Sequence, residues 1–190
     1  MKQAIFLCGF MGSGKSTVGK ALASELHWSL IDTDQMIEER HGPIPAIFAE
    51  KGEAYFRQLE ADLAAELAAA EKMVISTGGG FVLSQAVQEK LQDRFVVYLE
   101  VPFEDCYERI KDSDRPLVRA NSKEQLYEIF KKRDEIYRSV ASVCVDNGGL
   151  LNKTVAQIIE NCKLFSFLGL HLFFFILTCY NWEKECDEYE

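Results

Sequence analysis

A glycine-rich segment near the N-terminus constrains the fold of this chain more than any other feature. Residues 9–17 read Gly-Phe-Met-Gly-Ser-Gly-Lys-Ser-Thr, which fits the pattern G-x-x-x-x-G-K-S/T. The apolar run 4–8 precedes the segment, and a helical pattern over 15–26 follows it. A strand, a glycine-rich turn and a helix in this order predict a P-loop, whose backbone N–H groups converge on a phosphate at the helix N-terminus.

Two side chains of this loop have a defined chemistry in nucleotide sites. Lys15 can bridge the β- and γ-phosphates of a nucleoside triphosphate, and the Ser16 hydroxyl can ligate Mg²⁺. The remaining sequence narrows the class of enzyme. A GTPase needs an Asn-Lys-x-Asp string to read guanine, and the nearest match, at 152–155, lacks the acid. A motor ATPase needs far more than 190 residues, so a small kinase remains.

The hydrophobicity pattern predicts a single α/β domain. Five short runs are apolar throughout rather than at alternate positions, which is typical of parallel strands buried on both faces. Helical patterns lie between them, so we expect a doubly wound sheet with right-handed crossovers. The predicted strands are 4–8, 28–31, 73–76, 95–99 and 142–145, and the predicted helices are 15–26, 52–70, 84–91, 103–110, 123–138 and 152–163.

Two segments depart from this strand–helix pattern. Segment 111–123 is polar, is broken by Pro116 and predicts a mobile loop. Residues 164–180 carry no formal charge, and 183–190 then contain five acids and one lysine. We therefore expect a domain at 1–163 and a C-terminal extension at 164–190. A run of 17 residues is at the short limit for crossing a bilayer, so a packed helix, an appended tail and a membrane anchor all stay open.

Charge and cysteine content limit the partners and the compartment. The chain has 21 basic and 30 acidic side chains and a formal net charge of −9. It repels polyanions overall, so nucleic acid is not an expected partner and any anion site must be local. The six cysteines form no C-x-x-C pair and share no ligand spacing with the histidines. Free thiols in a reducing cytoplasm are therefore favoured over a zinc site, and we expect a cytoplasmic monomer.

Candidate residues for an acceptor site follow the predicted strands. Asp32 and Asp34 come after the second strand, at the edge where open α/β sheets bind ligands. Alternate residues of an extended chain point to opposite sides, so one acid can reach Mg²⁺ and the other an acceptor hydroxyl. The pair can equally cap the next helix. Three glycines after the third strand, at 78–80, either let a ligand touch the backbone or form a flexible turn.

Arginines supply local positive charge to this acidic chain. Arg57 and Glu60 lie three residues apart in a helical stretch, so Glu60 can hold the guanidinium in one orientation. The alternative is an ordinary surface ion pair, which contributes little. Arg115 lies in the polar loop, and Arg133 and Tyr137 lie on the following helix. Arginines that point into one crevice would recruit anions to it.

Taken together, these motifs resemble the shikimate kinase family. The resemblance covers residues 1 to about 162, and the motifs agree with the family in order and spacing. They are residues 9–17, Asp32-x-Asp34, Phe56-Arg57-x-x-Glu60, Gly78-Gly79-Gly80, Arg115-Pro116-Leu117 and Arg133-x-x-x-Tyr137. The resemblance implies phosphoryl transfer from MgATP to the 3-hydroxyl of shikimate, a step toward chorismate and the aromatic amino acids. It also implies a three-layer P-loop kinase fold, a five-stranded parallel sheet flanked by helices with a mobile lid at about 111–123.

The same resemblance implies a role for each candidate residue, with shikimate and ATP as ligands and Mg²⁺ as cofactor. The implied catalytic residues are Asp34, Lys15 and Arg115. ATP is expected to contact Gly12, Ser13, Gly14, Lys15, Ser16, Thr17, Arg109 and Arg115. Shikimate is expected to contact Asp34, Arg57, Gly78, Gly79, Gly80 and Arg133, and Mg²⁺ is expected at Ser16 and, through water, at Asp32. The chemistry of shikimate agrees, because arginines suit its carboxylate and an aspartate suits a hydroxyl.

Two departures from the family pattern and two alternative functions remain. Val118 stands where relatives often have leucine, and the region near Asn152 lacks an arginine that some members place against adenine.

The alternative enzyme is a gluconate-type or nucleoside-monophosphate kinase on the same architecture. The alternative outside enzymes is a silent ATP-binding module attached to a membrane by the C-terminal run. A silent module has no need of the whole set Lys15, Asp34, Arg57, Arg115 and Arg133.

Overall fold

Five parallel strands form one sheet at the centre of the molecule, which the computed structural model describes over residues 3–167. The strands are β1 Ile5–Cys8, β2 Ser29–Asp32, β3 Met73–Ser76, β4 Phe95–Glu100 and β5 Val143–Asp146. Their order across the sheet is β2-β3-β1-β4-β5, and every neighbouring pair is parallel. The predicted five-stranded parallel sheet is therefore confirmed.

Helices cover both faces of this sheet. They are α1 Lys15–Leu26, α2 Thr33–His41, α3 Ile44–Ala68, α4 Gln85–Leu91, α5 Phe103–Ile110, α6 Pro116–Arg119, α7 Lys123–Val140 and α8, at 151–167. Strand β1 shows why three layers form. All four of its residues are buried; Phe6 and Cys8 belong to one core cluster, and Ile5 and Leu7 to the other. A strand that is apolar at every position therefore needs cover on both faces.

The sequence prediction differs from the structure in the segment between β2 and β3. Helix α2 was expected only if the acid pair capped a helix, and α3 begins at Ile44 rather than at residue 52. Two helical sections of α3 meet at Gly52, whose backbone is non-helical with φ 78° and ψ 173°. That conformation suits glycine. A Cβ on Gly52 would meet no atom within 4 Å. Glycine is therefore favoured here by the backbone conformation and not by a lack of space for a side chain.

Helix α8 extends past residue 163, where the sequence predicts the end of the domain. The predicted helix 152–163 continues at least to residue 167. The Phe165 ring lies 5.2 Å from that of Phe95, and Gln3 Nε2 lies 3.5 Å from Ser166 Oγ. The start of the apolar run thus packs against the domain, whereas 168–190 lie outside the described residues. Within 3–167, no helix combines the length and hydropathy that crossing a membrane requires.

Candidate active site

The carboxyl ends of three neighbouring strands open into one cleft. Leu7 of β1 and Asp32 of β2 both pair with Ser76 of β3, so the segments after these strands start at the same level. The cleft has a volume of about 510 Å³. Among the sequence-predicted residues, its wall contains Gly12, Gly14, Lys15, Ser16, Thr17 and Arg109. Asp32, Asp34, Gly78, Gly79 and Arg115 also line it, whereas Arg57, Gly80 and Arg133 do not, and Ser13 is buried.

The N-terminus of α1 faces this cleft without a side-chain cap. Gly14 occupies the N-cap position and offers no capping oxygen. The first N–H groups of a helix have no partner within the helix, and with the helix dipole they favour an anion. The observed loop therefore has the donors that a phosphate site needs.

The Lys15 ammonium is folded back on its own loop. Its Nζ donates to the carbonyl oxygens of Gly9 at 2.7 Å and Phe10 at 3.0 Å. Burial lowers the pKa of Lys15 to about 8, against the opposing effects of Cys8 and Asp34. The ammonium also donates to Ser13 Oγ at 3.5 Å. A partly buried ammonium held only by neutral oxygens gains from a phosphate anion nearby.

The two acids after β2 have different surroundings. Asp32 is the N-cap of α2, and its Oδ1 accepts the backbone N–H groups of Asp34 at 3.1 Å and Gln35 at 3.3 Å. The Asp34 carboxylate instead lies against Gly78, where an added Cβ would stand 2.1 Å from its Oδ1. Burial, and then the charge of Asp32, raise the pKa of Asp34. Asp32 thus caps the helix, while Asp34 is directed into the cleft.

Thr33 ties these acids to the glycine segment, although the sequence analysis missed it. It is buried, and its Oγ1 accepts the backbone N–H of Gly78 at 2.8 Å. This bond fixes the end of β2 to the end of β3. The position of this polar residue between two acids at the end of a strand was the feature of the sequence that could have identified it.

Arg57 reaches the glycine segment from α3. Its Nη1 donates to Glu60 Oε2 at 2.7 Å and to the Gly80 carbonyl at 3.4 Å. Its Nε and Nη2 both donate to Glu53 Oε1, at 3.2 Å and 2.9 Å. Glu60 is buried with a side-chain exposure of 1%, so this pair is more than a surface ion pair. The expected orienting contact is present, together with Glu53, which the sequence analysis did not consider.

The protonation of Glu60 depends on its burial. Burial raises the pKa of this carboxyl to about 7, although the ion pair with Arg57 opposes the change. Asp34 and Glu53 also raise it. A carboxyl that titrates near neutral pH makes the stability of this part of the fold depend on pH.

We expect the protein to lose stability relative to a Glu60→Gln variant as the pH rises from about 4.5 to 8. Between the unfolded pKa of 4.5 and the folded pKa of about 7, only the folded state keeps a proton on Glu60. Raising the pH therefore disfavours folding. The difference in unfolding free energy should change by up to about 3 kcal/mol, measured by urea denaturation of both proteins. A difference that stays constant with pH would contradict this assignment.

Helix α7 also contacts the glycine segment. Arg133 Nη1 donates to the Gly79 carbonyl at 3.4 Å, and the Tyr137 hydroxyl donates to the same oxygen at 2.5 Å. Arg57 and Arg133 therefore bracket the segment 78–80, one at Gly80 and one at Gly79. Two guanidinium groups and the Asp34 carboxylate meet around three residues that have no side chains.

Two residues from distant segments support the P-loop. Arg109 Nη1 donates to the Gly12 carbonyl at 2.8 Å, so Arg109 lies beside the P-loop. Asn147, directly after β5, donates from Nδ2 to the Ser13 carbonyl at 2.8 Å. Asn147 was not among the residues predicted from the sequence. Its position just after the last strand, at the carboxyl edge, was the signal.

Arg115 lies at the start of α6, inside the segment predicted as a loop. Its side chain lines the cleft and makes no hydrogen bond or ion pair with the part of the chain that the structure describes. Its charge lowers the pKa values of both Asp34 and Lys15. The guanidinium of Arg115 is therefore close enough to affect the protonation of both Asp34 and Lys15.

Comparisons with known proteins identify one family. The family model described as shikimate kinase matches residues 11–163. The shikimate kinase of Persephonella marina is 46% identical over 136 residues, which are 70% of this chain and 82% of that protein. The shikimate kinase of Moorella thermoacetica is 40% identical over 159 residues, or 82% of this chain and 91% of that protein.

Solved structures give the same result. Shikimate kinase from Acinetobacter baumannii in complex with shikimate matches with a TM-score of 0.76 and 37% identity, covering 85% of this chain and 93% of that one. A gluconokinase from Sinorhizobium meliloti 1021 matches with a TM-score of 0.59 but only 21% identity, over 90% of this chain and 96% of that one; that match concerns the fold alone. On the family model and these relatives, the chain belongs to the shikimate kinase family.

Proposed function

We propose that this protein transfers the γ-phosphoryl group of ATP to the 3-hydroxyl of shikimate, giving shikimate 3-phosphate and ADP on the route to aromatic amino acids. One observation carries the proposal. The cleft contains an uncapped P-loop helix, Asp34 and the first two residues of the glycine segment, and two arginines from outside its lining reach the same segment at Gly79 and Gly80. A nucleotide and a small hydroxylated carboxylate are the ligands that suit these two halves.

ATP occupies the P-loop half of the cleft. Gly12, Ser13, Gly14, Ser16 and Thr17 enclose the phosphates with backbone N–H groups. Lys15, already directed along the loop by its carbonyl contacts, moves its ammonium onto the β- and γ-phosphates. Arg109 contacts the nucleotide from α5.

Shikimate occupies the glycine half. Arg57 and Arg133 bind its carboxylate, because planar guanidinium groups match a carboxylate in charge and geometry. The segment Gly78, Gly79 and Gly80 lets the hydroxylated ring of shikimate lie against the backbone. Asp34 accepts a hydrogen bond from the hydroxyl that attacks the phosphoryl group.

Ser16 and Asp32 fit Mg²⁺ as a cofactor. Both border the cleft and offer hydroxyl and carboxylate oxygens, which this hard cation prefers. The Asp32 Oδ1 is used in capping α2, while its other oxygen accepts no hydrogen bond from residues 3–167 and can hold a metal-bound water. When bound, the ion neutralises phosphate charge.

Transfer then depends on position and charge more than on covalent chemistry. The transition state of phosphoryl transfer is loose, so the acceptor hydroxyl needs orientation more than early deprotonation. Asp34 orients it and finally takes its proton. We assign Arg115 to the charge that develops on the transferring group, and segment 111–123 to a lid that closes to exclude water.

The proposed catalytic domain covers residues 1–163, and 164–190 form an extension without a part in the site. All the proposed site residues lie upstream of residue 163, and we expect the protein to act as a monomer. The unpaired thiols of Cys8, Cys106, Cys144 and Cys162 support a reducing cytoplasm as its location.

An assay with several acceptors tests the proposal. The purified full chain with MgATP should release ADP rapidly with shikimate, and only at background rate with gluconate or a nucleoside monophosphate. The phosphorylated position of the product is read by NMR. Comparable turnover with gluconate would contradict the proposal and favour the alternative kinase.

A further inference from the structure

Arg57 already holds a carboxylate where a substrate carboxylate would bind. The Nε and Nη2 atoms of a guanidinium present two parallel N–H groups, the edge that suits a carboxylate best. In this protein both of these atoms donate to Glu53 Oε1. The Nη1 atom is engaged by Glu60 and the Gly80 carbonyl. A substrate therefore finds no complete edge of Arg57 free.

The two glutamates differ in how readily they can leave. The Glu60 side chain is 1% exposed and the Glu53 side chain is 66% exposed. Separating a buried carboxyl group from its partner is costly in either protonation state, because the group cannot be rehydrated. An exposed carboxylate regains water when it leaves, and its ion pair contributes little. Glu53 is the partner that an incoming carboxylate can displace.

The backbone places Glu53 at the start of the helical section that carries Arg57. The break at Gly52 directly precedes it, and Glu53 and Arg57 then stand four residues apart, a spacing that favours an ion pair on a helix. Glu53 thus has two available roles. It can orient Arg57 for the substrate, or it can compete with the substrate.

We propose that Glu53 is a built-in competitor of the substrate carboxylate. The inference rests on the proposed function, which assigns the shikimate carboxylate to Arg57. Binding exchanges one carboxylate for another at the Nε/Nη2 edge, so the apparent affinity for shikimate is reduced by the strength of the Glu53–Arg57 pair. Because Glu60 stays bound to Nη1, the guanidinium keeps its orientation during the exchange.

The test compares shikimate affinity in Glu53→Gln and in the unaltered full chain. Isothermal titration without nucleotide should show a Kd for shikimate that is lower by about 2- to 5-fold in the variant, the range for an exposed ion pair. Glu50→Gln is the matched control. Glu50 lies on the same helix, is exposed and makes no hydrogen bond or ion pair with residues 3–167, so its Kd should not change.

A ligand that lacks the carboxylate separates competition from general charge effects. The carboxamide of shikimate should bind both proteins equally, because it has no anionic group to exchange with Glu53. An unchanged or higher Kd for shikimate in Glu53→Gln would overturn the proposal. A higher Kd would show that Glu53 orients Arg57 for the substrate. The proposal would also be overturned if Glu50→Gln raised the affinity for shikimate equally, or if Glu53→Gln raised the affinity for the carboxamide equally. If the unaltered protein instead binds and phosphorylates another carboxylate, the proposed function fails, and the same comparison with that substrate decides the role of Glu53.

Discussion

Replacing Asp34 with asparagine should lower kcat for shikimate by about 10²- to 10⁴-fold, the contribution of a well-placed general base. Asparagine fits the same space against Gly78, where the carboxylate leaves no room for a side chain. It keeps one acceptor oxygen but loses the charge and the basicity. Because burial raises the pKa of Asp34, the native carboxylate is a stronger base than an exposed one. The affinity for MgATP should stay nearly normal, measured by titration without shikimate.

Asp32→Asn is the matched variant for this experiment. It makes the same chemical change two residues away, and the amide oxygen can still cap α2. Because we assign Asp32 to the water shell of Mg²⁺, this variant should need more Mg²⁺ for half-maximal activity and should recover when Mg²⁺ is added. If added Mg²⁺ rescues Asp34→Asn but not Asp32→Asn, the two roles are reversed.

The sheet could be predicted from the sequence because its strands are buried on both faces. Val96 and Val97 are neighbours on β4 and lie in different core clusters, yet both are buried. Each apolar run can therefore be recognised from its own residues, without knowledge of the strand it pairs with. Helix α2 offers no such signal. Only Thr33 and Ile37 are buried in it, so its sequence lacks the apolar periodicity that identifies a packed helix.

The candidate site could be predicted where a motif is local and missed where a contact is remote. The P-loop and the Asp32-x-Asp34 pair each occupy a short stretch. Thr33 bonds to Gly78 and Asn147 to Ser13, across 45 and 134 residues of chain. Single hydrogen bonds of this kind depend on the register of the folded sheet. The spacing of residues along one sequence does not reveal that register.

Arg57→Lys should weaken shikimate binding by about 30- to 1000-fold, which corresponds to about 2–4 kcal/mol for removing one partner of a buried charge pair. The guanidinium serves Glu60 and Gly80 through Nη1 while its Nε and Nη2 atoms face a carboxylate. A single ammonium cannot occupy both positions, so lysine keeps the charge but loses the planar fork. The measurement is the Kd for shikimate without nucleotide.

Arg40→Lys provides the matched control for this change. Arg40 also binds a carboxylate with two nitrogens, Nη1 and Nη2 donating to Glu66 at 2.6 Å and 2.9 Å, but this pair is exposed on the surface. Its loss should leave shikimate binding unchanged, because an exposed ion pair contributes little. Both variants should bind MgATP normally, since neither arginine lines the P-loop. A normal KM for shikimate in Arg57→Lys would remove Arg57 from substrate binding and leave the carboxylate to Arg133, which contacts the same glycine segment at the Gly79 carbonyl.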